Sequence, residues 1–173
     1  MQDAIDDLPD PPNEEEIHSY EHAVESLHTF FQNWFTAKPS EQNFDDAIKR
    51  VMLNQRCGEK LADDFSMVTP SGAHVERESL LQNLLHAHGC HEMGFEITIE
   101  NFKVLHEYNN GGNRAMVMYD EIQRMGPQDK AGTARRSTAL IEKLEDGSVK
   151  WKHVHETWIE GRGPPVADGD SKK

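Results

Sequence analysis

The spacing of apolar residues changes abruptly at Gly94, and this change restricts the folds that are open to the chain. Before Gly94 the apolar residues recur every three or four positions, which is typical of one face of a helix. After it, Phe95, Ile97 and Ile99 alternate with polar residues, which is typical of a strand with one buried face. Helices followed by strands predict an α+β domain in which helices pack on one face of a curved antiparallel sheet.

Three helices are predicted in the first part of the chain. The first begins near Glu14, is ended by Pro39 and carries one broad apolar stripe. That stripe consists of Ile17, Tyr20, Val24, Leu27, Phe31, Trp34 and Phe35. Ser40 is expected to cap a second, shorter helix. The apolar residues of this second helix are Phe44, Ala47, Ile48 and Met52. A third helix is predicted from Glu76 to His86.

The second part of the chain predicts a meander of four antiparallel strands. These strands are expected at 95–104, 115–124, 133–144 and 149–159. Asn109-Asn110-Gly111-Gly112 and Asp146-Gly147 are strong turn signals between neighbouring strands. Farther upstream, residues 61–68 are interpreted as a helical turn that runs into a strand, and Pro70-Ser71-Gly72 as the turn that follows.

Composition limits the partners of the chain. Its 173 residues suit one domain, and its formal net charge of −13 disfavours binding to a nucleic-acid backbone or to an anionic membrane surface. No apolar run approaches the roughly 18 residues that a membrane span needs. Cys57 and Cys90 do not make a disulfide framework, so a cytoplasmic location is expected. A disordered acidic arm at 1–13 and a disordered tail at 161–173 are predicted to flank a folded domain at 14–160.

Three segments carry a family resemblance. The first is the strand and turn at 65–72, FSMVTPSG, and the second is Arg135-Arg136-Ser137-Thr138-Ala139, which precedes the Asp146-Gly147 turn. The third is the closing strand, Trp151 followed by Val154-His155-Glu156. In this order they resemble the SnoaL-like, nuclear-transport-factor-like superfamily, which also contains ketosteroid isomerase and the association domain of calmodulin-dependent kinase.

The resemblance implies a cone-shaped α+β barrel in which the sheet wraps around the first helix. The concave face would line an apolar pocket for a small, mostly hydrophobic molecule, and the convex face would join a second copy in a homodimer. Because side chains alternate along a strand, register decides which of them face the pocket. Carried over to this sequence, the pocket is lined by Phe31, Trp34, Phe65, Met67, Thr69, Val117, Arg135, Ser137, Val154 and Trp158. Trp151, His153, His155 and Thr157 would then lie on the opposite face.

The same register places two carboxylates, Glu121 and Glu156, in the implied pocket. One of them is expected to have a raised pKa and to move a proton on a bound ketone, enol or alcohol. Tyr119 would donate a hydrogen bond to the developing oxyanion. The alternative is a buried network of Glu, Arg135 and Tyr that only satisfies its own charges.

Two departures argue against the mechanism of ketosteroid isomerase itself. Thr69 stands where the family resemblance places that enzyme's general base, and a threonine hydroxyl is not a base at neutral pH. Phe30, Phe31 and Trp34 occupy the helix positions where an oxyanion-binding Tyr is expected, and these rings are interpreted as core or as a surface for stacking an aromatic ligand.

Histidines occur in two places where a metal site must be considered. His153 and His155, with His106 as a third ligand, could bind zinc, but contact with a second subunit is the favoured interpretation. The segment His86-Ala87-His88-Gly89-Cys90-His91 matches no usual zinc spacing and is interpreted as the end of the third helix. No metal or cofactor is therefore expected.

Three classes of function remain open at this point. The chain could be an isomerase, dehydratase or cyclase that uses Glu121 or Glu156, a ligand-binding module without turnover, or a dimeric assembly domain. The fold alone does not choose among them, because one fold can host all three.

Overall fold

The computed structural model of the protein describes residues 14–108 and 113–164, with side chains from residue 18 onward. Its helices are α1 (Glu14–Thr36), α2 (Asp46–Arg56) and α3 (Arg77–His86). Its strands are β1 (Leu61–Val68), β2 (His74–Glu76), β3 (Glu96–Tyr108), β4 (Asn113–Arg124), β5 (Thr133–Lys143) and β6 (Val149–Trp158). The predicted α+β class is confirmed.

The six strands form one curved sheet that does not close, in the order β2-β1-β6-β5-β4-β3. Strands β3 to β6 are the predicted antiparallel meander. Strand β1 adds to β6 in parallel, with Met67 opposite Val154, and pairs with β2 in a short hairpin. This parallel pairing was not predicted from the sequence. No local signal reports it, because the two strands are some eighty residues apart and a parallel pair needs a long crossover.

Helix α1 covers one face of the sheet, which we call the inner face. The predicted stripe faces inward: Tyr20, Val24, Leu27 and Trp34 are buried. The indole Nε1 of Trp34 donates a 2.7 Å hydrogen bond to the carbonyl oxygen of Leu84 and so joins α1 to α3. The helix ends at Thr36, before Pro39 as predicted.

Strand β4 has the predicted parity, but β6 does not keep it throughout. Val154 and Glu156 face inward and are buried. Trp151, predicted on the outer face, is also buried at 2% exposure, so that prediction is wrong. The cause is a β-bulge: Leu140 pairs with His153 and Ile141 with Trp151, so Lys152 is the extra residue that reverses parity.

Two predicted element boundaries also differ. Helix α2 begins at Asp46, and its N-cap is Asp45, whose Oδ1 accepts a 2.8 Å hydrogen bond from the amide nitrogen of Ile48. Ser40 was therefore the wrong cap. The expected helical turn lies at Gly58–Lys60, so strand β1 starts at Leu61.

Some predictions fall outside the described residues. They are the acidic arm at 1–13, the turn at 109–112 and the tail from 165 onward. The described chain continues beyond the predicted domain boundary at 160, where the carbonyl oxygen of Arg162 accepts a 2.9 Å hydrogen bond from the amide of Ala134. In the described ranges, none of the helices combines the length and the apolar character that crossing a bilayer requires.

The N-cap of α2 can be tested directly. Replacement of the exposed Asp45 by Ala removes the hydrogen bond to the Ile48 amide and should lower the free energy of unfolding by about 1 kcal/mol. Ser40→Ala is the matched control and should change it by less than about 0.5 kcal/mol. Urea denaturation measures both variants, and a larger loss for Ser40→Ala would contradict the assignment.

Candidate functional site

A cavity of about 290 Å³ lies between α1, α3 and the inner face of the sheet. Most of its wall is apolar and aromatic, with contributions from Phe31, Phe35, Phe65, Leu80 and Trp151. The ionisable part of the wall is concentrated on β4, β5 and β6, with one further group from α1. Its members are His28, Tyr119, Glu121, Arg135 and Glu156. Thr69 and Asn83 are the uncharged polar residues of the wall. A hollow of this kind is the usual form of a small-molecule site.

The structure separates the predicted site residues into two groups. The first group lines the cavity and consists of Phe31, Phe65, Met67, Thr69, Tyr119, Glu121, Arg135, Val154 and Glu156. The second group, Trp34, Val117, Ser137 and Trp158, does not belong to its wall. Trp34, Val117 and Ser137 are buried in the core, whereas Trp158 is 39% exposed and packs near Gly163.

Glu121 is the most fully bonded polar group at the cavity. It is 1% exposed, and its Oε1 accepts hydrogen bonds from Arg135 Nη2 and Gln123 Nε2, both at 2.6 Å. Its Oε2 lies 3.0 Å from His28 Nε2. Burial alone would raise the pKa of this carboxyl, but the charges and hydrogen bonds of Arg135 and His28 outweigh burial and hold the pKa well below its ordinary range. Glu121 is therefore ionised at neutral pH.

His28 is a polar residue of the cavity wall that was not predicted from the sequence. Its Nδ1 lies 2.7 Å from the carbonyl oxygen of Val24, which can only accept, so Nδ1 carries a hydrogen. His28 Nε2 and Glu121 Oε2 are 3.0 Å apart. A hydrogen bond between them requires a second proton, which lies either on Nε2 or on Oε2. Position 28 follows Val24 by four residues and precedes Phe31 by three, so it falls within the apolar stripe. A lone polar residue inside that stripe was the available signal.

Glu156 has a different environment from Glu121. Its Oε1 lies 3.3 Å from Arg135 Nε, while its buried Oε2 has no hydrogen-bond partner among the described residues. Burial raises the pKa of Glu156, and the charge of Glu121 raises it further, although Arg135 opposes both effects. The pairing of β4, β5 and β6 explains this geometry. Arg135 on β5 is directly opposite Glu121 on β4, and Ser137, two residues after Arg135 on β5, is opposite Glu156 on β6.

Tyr119 and Arg135 supply hydrogen-bond donors at the same end of the cavity. Burial raises the pKa of the Tyr119 phenol far above its ordinary value, and the charges of Glu121 and Glu156 add to this, so the phenol keeps its proton. Of the guanidinium nitrogens of Arg135, only Nη2 donates a hydrogen bond to another described residue. The cluster therefore combines an ionised carboxylate, a second carboxyl with a raised pKa and two permanent donors.

Thr69 lies at the cavity, but its hydroxyl is already used in the turn after β1. Thr69 Oγ1 is 2.9 Å from Ser71 Oγ and accepts a 3.1 Å hydrogen bond from the amide of Ala73. The position where the resemblance placed a general base therefore has a structural role. Any proton transfer in this cavity has to use the carboxyl groups of the later strands.

The histidines at the end of α3 contact different partners. His86 Nδ1 lies 2.8 Å from the carbonyl oxygen of Gln82, His88 packs edge-on against Trp34, and His91 stacks on Phe95. Among the described residues, no three His, Cys, Asp or Glu side chains converge as metal ligands would. On β6, His153 Nδ1 lies 2.9 Å from Ser66 Oγ on the outer face.

The two carboxyl groups should affect stability in opposite directions. Glu121→Gln removes a buried charge from Arg135 and His28 and should cost about 3 kcal/mol at neutral pH. Because the pKa of Glu121 is lowered on folding, this cost should shrink as the pH falls below 4.5, the ordinary value.

Glu156→Gln should stabilise the protein at neutral pH. Protonated Glu156 contributes stability that is complete below its ordinary pKa of 4.5 and is lost as the pH rises through its raised pKa. The variant does not suffer that loss, so its advantage over the natural protein should grow with pH. Thermal unfolding from pH 2 to pH 8 measures both variants, and equal effects of the two would disprove the assigned asymmetry.

Comparison with solved structures gives the same fold. The chain is similar to an NTF-2-like protein of unknown function from Pseudomonas aeruginosa, at 27% identity and a TM-score of 0.62, over 82% of this chain and 98% of that one. It is also similar to an NTF2-like protein from Cytophaga hutchinsonii and a ketosteroid isomerase-like protein from Erwinia carotovora atroseptica, with TM-scores of 0.54 and 0.51. Each of the last two is 14% identical, over 86% of this chain and 100% and 99% of its own length.

No protein-family model and no curated protein matches the sequence. The strand order, the long N-terminal helix inside a curved sheet and the structural neighbours agree with one another. The chain is a member of the NTF2-like superfamily.

Proposed function

We propose that the protein binds a small, mostly hydrophobic molecule in the cavity and moves a proton on it, in a reaction of the isomerase or dehydratase type. The observation that carries this proposal is the buried, unpartnered Oε2 of Glu156 in a wall that is mostly apolar. A polar atom left unbonded in the core is costly, and such groups are concentrated at functional sites. The ketosteroid isomerase-like neighbour supports the reaction class by analogy of fold alone.

Glu156 would be the general base and then the general acid. Burial raises the pKa of the Glu156 carboxyl above its ordinary value, which makes its carboxylate a stronger base for taking a proton from carbon, and the resulting acid can return that proton. Glu121 is unsuited to this role, because three donors occupy its oxygens and its pKa is lowered. The difference between the two carboxyl groups supports Glu156 as the group that takes up and returns the proton.

Tyr119 and Arg135 would stabilise the negative charge that develops on a substrate oxygen. Both line the cavity, and both keep their protons across the working pH range. A donor that is fixed in place before the reaction needs no rearrangement when charge appears in the transition state. The apolar walls exclude water and so strengthen these electrostatic interactions.

Proton transfer can be tested without knowing the natural substrate. Decalone and tert-butylcyclohexanone fit an apolar cavity and carry exchangeable hydrogens beside a carbonyl group. In deuterated buffer the protein should accelerate exchange of these hydrogens, followed by NMR, and Glu156→Gln should reduce the acceleration by about a hundredfold or more. The acceleration should fall with acidification, as Glu156 takes up a proton.

Glu142→Gln is the matched control for this experiment. Glu142 lies on β5, outside the cavity, and pairs with Arg114 at 3.0 Å, so its substitution should leave exchange unchanged. Ketones that bind without faster exchange would contradict the catalytic proposal and favour the alternative, a ligand-binding module without turnover.

A homodimer through the outer face of the sheet is part of the proposal. It is supported by a set of outward side chains that strand register brings together. The set, which we call the outer patch, is Met116, Met118, Thr138, Leu140, His153 and His155. Five of the six are only half-buried in the single chain, and a surface of Met, Leu and His is typical of subunit contacts.

One substitution in the outer patch should separate the proposed dimer. Leu140→Lys places a charge at its centre and should convert the protein to a monomer, because an unpaired charge is costly in a desolvated interface. Ile48→Lys changes an apolar residue on α2 that is 45% exposed and should leave the oligomeric state unchanged. Sedimentation equilibrium measures both, and a natural protein that is already monomeric would refute the dimer.

A further inference from the structure

We infer that the ligand of the cavity is an uncharged molecule of roughly ten non-hydrogen atoms that carries a hydroxyl group, and that the hydroxyl donates a hydrogen bond to Glu156 Oε2. This inference deepens the proposed function and rests on the cavity being the ligand site. The chemical class follows from three features of the wall: its charge balance, the buried and unpartnered Oε2 of Glu156, and its volume.

The charge balance follows from hydrogen-bond geometry. The contact between His28 Nε2 and Glu121 Oε2 contains a proton, and His28 Nδ1 already holds another toward Val24. The pair formed by His28 and Glu121 is therefore neutral as a whole, wherever the shared proton lies. When Glu156 is ionised, the charge of Arg135 balances it in the same way. Four ionisable side chains thus give the polar end of the cavity no net charge.

A charged ligand would disturb this balance. An anion would meet two carboxylates, and the guanidinium that could attract it, Arg135, is shared between them. A cation would add a positive charge that no carboxylate of the balanced cluster is left to neutralise. Either ion would be left uncompensated beside Glu121 and Glu156, which are almost fully buried, and this is unfavourable. An uncharged ligand avoids both penalties.

The free acceptor determines the ligand's polar group. Glu156 Oε1 faces Arg135 Nε, while the buried Oε2 has no protein partner within the described ranges. An ionised carboxylate oxygen can only accept, so the group that satisfies it must donate. Among uncharged oxygen functions, a hydroxyl donates and an ether does not.

The size of the ligand follows from the volume. A cavity of about 290 Å³ holds roughly ten groups the size of a water molecule, each of which takes up about 30 Å³ in the liquid. The walls give such a molecule aromatic contacts from Phe31, Phe65 and Trp151. A ring or a branched chain with one hydroxyl fits this description.

A series on one carbon skeleton tests the inference. The probes are cyclohexylmethanol, its methyl ether, cyclohexanecarboxylate and cyclohexylmethylammonium, titrated at pH 7.5 into the full-length natural protein. The alcohol should bind at least about tenfold more tightly than each of the other three, since only it is neutral and donates a hydrogen bond. The indole signal of Trp151, in the cavity wall, should shift in the NMR spectrum, and that of Trp158 should not.

Two variants locate the hydrogen bond. Glu156→Gln should weaken binding of the alcohol by about tenfold and leave binding of the ether unchanged, because only the alcohol donates a hydrogen bond to the carboxylate. Glu142→Gln, on the same sheet outside the cavity, should change neither. If Glu156→Gln does not fold, the probe series on the natural protein still decides.

Tighter binding of the carboxylate or the ammonium probe would overturn the inference, as would no binding of the alcohol or a shift at Trp158 in place of Trp151. This failure is distinct from failure of the proposed chemistry. Selective binding of the alcohol without hydrogen exchange of the ketones would support the ligand class and contradict the proposed catalysis. Hydrogen exchange of the ketones together with tight binding of cyclohexanecarboxylate would support the catalysis and contradict the ligand class.

Discussion

The pairing of Arg135 with two buried carboxylates is the interaction on which the site depends. Three ionisable groups enter the interior together, and none could do so alone, because an isolated buried charge is too costly. Their burial is possible because neighbouring strands bring them into register: Arg135 is opposite Glu121, and Glu156 lies diagonally across on the other side. The curvature of the sheet and helix α1 then close water out.

The two carboxyl groups have unequal shares of this pairing, and the inequality gives them different acid–base properties. Glu121 accepts hydrogen bonds from Arg135 and Gln123, and it shares a proton with His28. Glu156 keeps a single contact with Arg135 and one bare oxygen. The first arrangement stabilises the fold, and the second leaves a reactive group in the cavity at a cost in stability. Proteins commonly accept this exchange at functional sites.

Much of this site was predictable because it depends on the period of two along each strand. Tyr119 and Glu121 share a face for that reason, and the same parity holds for Val154 and Glu156. The prediction for Trp151 failed because a bulge at Lys152 adds one residue, and no local pattern marks a bulge. His28 was missed for a different reason: its position on the apolar stripe was visible, but the charge that makes its burial possible lies on a strand ninety-three residues later.

The sequence by itself determined the three helices and the meander β3 to β6, the inward face of α1 and the parity of β4, because all of these depend on neighbours a few residues apart, whereas the short strand β2 was not predicted. Tertiary structure decided the parallel contact of β1 with β6, the bulge in β6, and which carboxyl keeps a free oxygen. Those features depend on the energy of burial and pairing between distant segments. Such energies exist only once the sheet has curved around its helix.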